Sequence, residues 1–311
     1  MSDEATVATT EEISKKSNSL PLLPFFLSLR PRQWTKNAVV FAGAFGAGQL
    51  FHVVSFMRAS LGFLIFCGLA GVIYIINDLT DRERDRLHPR KRYRPIASGA
   101  LPPLWALCGA IALLIACLSG GIVLSLPFFG LSVTYVILML SYSYFLKQEV
   151  FLDVLAISAG FVIRAAAGAA VVKATISPWL LVCAALLALF LGFSKRRHEL
   201  LLLGDQAPIY RTVLQLYTPE LLDELIAVVT SSTLVAYSLY TFFGENVPQN
   251  HTMMLTIPFV LYAIFRYMLL IHRPDGGGNP DELLLQDRPL LIAIILWAIT
   301  AISVLYFAPG A

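Results

Sequence analysis

Residues 60–85 read SLGFLIFCGLAGVIYIINDLTDRERD. No charge occurs from Ser60 to Ile76, whereas most residues from Asp78 to Asp85 are ionic. A helix rising about 1.5 Å per residue needs about 20 apolar residues to cross a hydrocarbon core. The stretch therefore reads as a membrane span, 60–79, that ends in a burst of acids and bases. With Asn77 at zero and about 100° per residue, Asp81 falls near 40°, Asp85 near 80° and Asp78 near 100°. One amide and three carboxylates share one face of a helix end. Like charges at that spacing repel, so the face makes chemical sense if a divalent cation fills it. Oxygen ligands alone select a hard ion, Mg²⁺ or Mn²⁺. Mg²⁺ keeps waters and takes phosphate co-ligands, which implies a diphosphate substrate. The competing reading is a solvated helix end laced by Arg82, Arg84 and Arg86.

The rest of the chain fits a membrane protein. Its 311 residues are 57% hydrophobic and 14% charged, with a mean hydropathy of +0.72. Soluble proteins carry about 25% charged residues. Too few charges are present to cover a soluble fold, which excludes a soluble enzyme, a disordered chain and a nucleic-acid binder. Besides 60–79, spans are expected near 38–57, 101–119, 121–145, 152–172, 178–194, 222–243, 253–271 and 288–307. Pro178 and Pro219 mark two helix starts. The expected fold is all-α, a bundle of about nine transmembrane helices over 37–311. A polar, disordered tail (1–19) and an interfacial basic segment (20–36) precede it. No cleavable signal peptide is expected. The four cysteines lie in apolar runs and read as buried hydrophobes.

Nine spans sort the loops into two sets. All of the 23 Lys and Arg except Arg58, Arg164 and Lys173 fall on one side, the side of the N-terminus. The positive-inside rule puts that side in the cytoplasm and the C-terminus outside. Of the acids, only Glu245 lies on the outer side. A polar site facing the cytosol, in a multi-pass protein of the inner (plasma) membrane, is expected.

Next to the carboxylate face stands HPRKRYRPI, residues 88–96. Two prolines and Tyr93 stiffen this basic stretch, and it could hold phosphates that the metal leaves un-neutralised. It could equally anchor to anionic lipid heads.

These features together resemble the UbiA superfamily of prenyltransferases, whose second helix carries an NDxxDxxxD motif at its cytoplasmic end. RPRQWTKN (30–37) and KRYRPIASG (91–99) are similar to its polyprenyl-phosphate phosphoribosyltransferase branch. Aromatic prenyltransferases of the superfamily carry a second aspartate-rich motif after helix six. Here that place reads KRRHEL (195–200), a basic cluster in which Lys195 and Glu199 are i,i+4 neighbours. It resembles the Lys-Arg-x-x-Glu pattern of the phosphoribosyltransferase branch.

The resemblance implies transfer of 5-phosphoribose from 5-phosphoribosyl 1-diphosphate to a polyprenyl, decaprenyl-type phosphate, as in cell-wall precursor synthesis. On this reading Asn77 and Asp81 hold Mg²⁺, with Asp78 and Asp85 in support. Lys36, Lys91, Arg92, Lys195 and Arg196 bind phosphates, and Glu199 joins the last two. Tyr74, one turn before Asn77, could reach the site or simply pack. Lys147 could reach a phosphate or snorkel. Arg164, inside a span and near the face of Asp153, reads as a structural pair, a snorkelling residue or a substrate contact. A homo-oligomer is compatible with the sequence. Two other readings compete: an aromatic-acceptor prenyltransferase using a prenyl diphosphate, and a transporter of lipid phosphates or anions. The Gly-rich turn and helix expected over 275–288 read as a lid or an anchor.

Overall fold

The computed structural model describes residues 21–88, 91–175, 177–204, 212–245, 247–272 and 286–307. The expected tail, Arg90 and most of the Gly-rich segment lie outside the described residues. Among the described residues all regular structure is helical. A short helix, α1 (Leu22–Ser28), leads into a 3₁₀ segment (Pro31–Val40) and α2 (Phe41–Gly46). Then come α3 (Val53–Thr80), α4 (Arg82–Leu87), α5 (Pro103–Leu124) and α6 (Leu126–Tyr144). The chain continues through α7 (Leu152–Val172), α8 (Pro178–Leu203), α9 (Pro219–Phe243), α10 (Ile257–Ile271) and α11 (Arg288–Phe307). Among the described residues, eight helical segments are long and apolar enough to cross a membrane. Pro178 and Pro219 sit at the first helical position, as expected.

The first expected span, 38–57, is not a single helix. Residues 53–57 belong to α3, and a turn with Gly48 at φ +66° separates them from α2. The 3₁₀ segment and α2 lie in its place. Ten residues at about 2.0 Å and six at about 1.5 Å give about 29 Å, close to the thickness of a hydrocarbon core. Contacts along the way fix its course. Arg30 meets Asp78, Asn37 meets Cys67, and the Leu50 N–H donates to the Tyr306 hydroxyl near the end of α11. The segment thus runs antiparallel to the whole of α3.

The central helix is α7, rich in Ala and Gly and mostly buried. Its small residues let the first crossing lie against it backbone to backbone. A Cβ on Gly168 would sit 1.9 Å from the Val40 carbonyl oxygen, and one on Gly43 would sit 2.2 Å from the Ala169 nitrogen. At the far end Arg58 donates to the Val171 and Leu124 carbonyl oxygens, at 2.7 and 2.6 Å. One guanidinium therefore caps the C-terminal ends of α7 and α5. At the other end, called the site end here, Phe25 and Leu29 pack on Gly109 and Gly71. Leu22, Leu23, Phe26 and Leu27 stay exposed, as suits a helix lying in a membrane interface.

Candidate active site

The site end gathers the end of α3, α4, the 91–101 loop, the α6–α7 connection and the end of α8. The helix expected to run through Asp85 breaks at Asp81, whose φ and ψ are −91° and 7°. The break is shallow. Asp81 N–H still donates to Asn77 O at 2.9 Å, and Asp85 N–H to Asp81 O at 2.8 Å. The four-residue spacing of Asn77, Asp81 and Asp85 survives it.

The four polar groups of this face divide into two pairs. Asp78 is 2% exposed and its Oδ1 accepts from Arg30 at 2.5 Å and from Arg94 at 3.1 Å. Arg94 also donates to Asp85 Oδ2 at 2.6 Å. Two of the three carboxylates are thus neutralised by arginines, one of them shared. The side chains of Asn77 and Asp81, both half-buried, have no hydrogen-bond or ion-pair partner among the described residues. Among the described residues no group of three or more His, Cys, Asp or Glu is placed to hold a metal ion. The donor set left open is two hard oxygens one turn apart. That fits Mg²⁺, which takes one or two protein oxygens and completes its shell with water and phosphate.

Arg30 and Arg94 stand inside the two basic stretches quoted above, yet nothing in those stretches distinguishes them from their neighbours. Arg30 lies over the Tyr74 ring, its Cζ 4.7 Å from the centroid, so Tyr74 supports the arginine that holds Asp78. Lys91 and Arg92 are exposed, and Arg92 bonds and stacks on Tyr93. Lys36 and Lys147 are half-buried at the same end.

The 195–199 cluster is arranged differently from the expectation. Arg196 is 1% exposed, with Nε on Asp153 Oδ2 at 2.7 Å and Nη1 on Glu199 Oε2. Glu199 therefore pairs with Arg196, three residues back. Tyr217 completes the knot: its hydroxyl donates to Asp153 Oδ1 at 2.8 Å and accepts the Phe151 N–H at 2.9 Å. Burial, then the bond to Asp153, push the Tyr217 phenol up, so it stays protonated and donating. Arg196 reads from sequence as a phosphate ligand; the fold commits it to two carboxylates. Lys195 and Glu199 remain half-buried at the helix end. Next to them Arg197 bridges Asp223 and the Ile271 carbonyl, tying α8 to α9 and α10.

Arg164 does not meet Asp153. Its Nε donates to Asn37 Oδ1 at 2.9 Å and its Nη2 to the Tyr135 hydroxyl at 2.7 Å. Asn37 and Tyr135 come from the first crossing and from α6, 127 and 29 residues away in sequence. Neither was marked by any pattern in the sequence beyond the stretch that contains Asn37.

Residues 37–279 match the UbiA prenyltransferase family. The chain is similar to the decaprenyl-phosphate phosphoribosyltransferase of Corynebacterium glutamicum, 34% identical over 91% of this chain and 86% of that protein. It is also similar to the protein of the same name from Mycobacterium tuberculosis, 32% identical over 88% of this chain and 91% of that one. Among solved structures, a UbiA homolog from Archaeoglobus fulgidus bound to GPP and Mg²⁺ superposes with a TM-score of 0.70 at 21% identity. It covers 91% of this chain and 99% of that one; at such identity the likeness concerns the fold.

Proposed function

The chain belongs to the UbiA prenyltransferase family, and from that premise we propose that it is a phosphoribosyltransferase of the membrane. It moves 5-phosphoribose from 5-phosphoribosyl 1-diphosphate to a polyprenyl phosphate and releases diphosphate. Relatives that share a third of its residues over most of both chains carry this activity in their names. One observation supports the reading from within the chain. Two oxygens, on Asn77 and Asp81, stay open beside two carboxylates already neutralised by arginines.

The chemistry asks little of general acids or bases. The acceptor phosphate is already an anion, so no proton need be removed from it. Its oxygen forms a bond to C1 of the ribose while the C1–O bond to diphosphate breaks, and diphosphate departs with the electron pair. Asn77 and Asp81 would hold Mg²⁺, which would supply positive charge for the leaving diphosphate. Arg30 and Arg94 hold Asp78 and Asp85 away from the phosphates, so that the open face carries one carboxylate rather than three. Lys36, Lys91, Arg92, Lys147 and Lys195 supply cations for the phosphate groups. Arg196, fixed by Asp153, orients Glu199. The site end faces the cytosol, the source of the soluble donor, in the cell's inner membrane.

The test uses the purified protein in detergent with polyprenyl phosphate, radiolabelled phosphoribosyl diphosphate and Mg²⁺. A labelled lipid-soluble product is expected. EDTA should stop its formation and added Mg²⁺ restore it. Transfer of a prenyl group to an aromatic acceptor, with no ribosyl product, would sink the proposal.

A further inference from the structure

Arg164 is a permanent cation in the middle of α7, 7% exposed. Such a charge inside a bundle is expensive unless an anion meets it. Among the described residues no carboxylate does: its partners are the amide of Asn37, the hydroxyl of Tyr135 and the ring faces of Tyr135 and Phe161. All are neutral. Nη1 has no hydrogen-bond partner, yet it is not among the atoms sealed from solvent. It borders Gly160, where an added Cβ would lie 3.6 Å from it. The guanidinium is thus fixed on two edges and open on the third.

The position separates it from the rim. Arg164 lies eleven residues into α7 from Asp153, about 16 Å by helical rise, and its side chain leans back about one turn.

We propose that Arg164 Nη1 receives the phosphate monoester of a lipid, which holds the acceptor headgroup below the rim where the donor binds. A soluble donor reaches the site from water and meets Asn77 and Asp81 first. A lipid phosphate enters with its chain in the hydrocarbon, at the depth where the uncompensated cation stands. The inference rests on the phosphoribosyltransferase reading and adds to it a separate subsite for the acceptor.

The test measures binding of farnesyl phosphate and of farnesol to the full chain in phosphatidylcholine nanodiscs. EDTA is present, so that no metal contributes. The native protein should retain the phosphate over the alcohol by about ten- to a hundredfold, the range of a charge-assisted contact. Millimolar inorganic phosphate should not displace it. Displacement by inorganic phosphate at that level would show a site for the free anion and overturn the lipid assignment. Arg164→Gln should bring the phosphate-to-alcohol ratio near one. Asn37→Asp should do the same by placing a carboxylate beside the guanidinium, while raising the thermal midpoint because the buried cation gains its anion. That variant decides the matter even if Arg164→Gln does not fold. A native ratio near one, or an unchanged ratio in folded Asn37→Asp, overturns the inference. The parent reading fails separately: a protein that prefers farnesyl phosphate but transfers no phosphoribose keeps this site and loses that function.

Discussion

Asp78 and Asp81 are three residues apart, and the structure gives them opposite work. Asp78 is buried and holds two arginines. Asp81 holds nothing among the described residues. Asp81→Asn should therefore abolish turnover with no change in thermal midpoint, because it removes a charge from the open face without changing shape. Asp78→Asn should lower stability by about 2 kcal/mol. This is less than the 3–5 kcal/mol typical of a broken buried pair, because Arg30 and Arg94 are 29% and 28% exposed and water takes part of their charge. Paired thermal melts and product assays separate the two. A sequence shows four polar groups on one face and cannot show this division. The arginines that decide it stand 48 and 16 residues from Asp78, among other cations equally suited by type. The same limit hid the fate of Arg196, whose partner Asp153 lies 43 residues upstream.

Among the elements, the long apolar helices were readable, though the start of α3 and the end of α8 lie seven and nine residues beyond the expected bounds; the first expected span was not. Length and hydropathy mark α3 and α5 to α11 because each holds a long, mostly apolar run, with Pro near several starts. The first crossing escapes because part of it is wound as 3₁₀, which covers about a third more distance per residue. Its register against α7 depends on glycine. Gly168→Ala should cost at least about 3 kcal/mol, since the new Cβ would lie 1.9 Å from the Val40 carbonyl and backbone cannot give way cheaply. Gly130→Ala, with nothing within 4 Å, is the matched control and should be neutral. Yield of monodisperse protein and thermal midpoint report both. At the end of α8, Lys195→Ala should weaken donor binding about ten- to a hundredfold, the loss of one charge-assisted phosphate contact. Retention of the lipid should hardly change, because apolar area dominates it. Equal donor affinity in the variant would reduce this cluster to an anchor.

On the scale of the whole molecule, the nine-span reading puts the termini of the bundle on opposite sides of the membrane. Single cysteines at positions 90 and 248 should react with a membrane-impermeant reagent from opposite sides, with position 90 cytosolic. Labelling of both from one side would break that topology. The two ends differ in character as well as in side. Acids and bases cluster at the site end, whereas Arg58 at the far end is bound to the carbonyls that finish α5 and α7. That arrangement bears on how the chain is made. On the proposed topology Arg58 passes through the membrane during insertion, against the usual preference of cations for the cytosol. Its two acceptors are not yet in the bilayer when it passes: Leu124 and Val171 are translated 66 and 113 residues later. For that interval the nascent chain carries an unanchored cation on the wrong side of the membrane. On that topology α5 and α7 then capture it, and the hold on Arg58 is completed only late in synthesis.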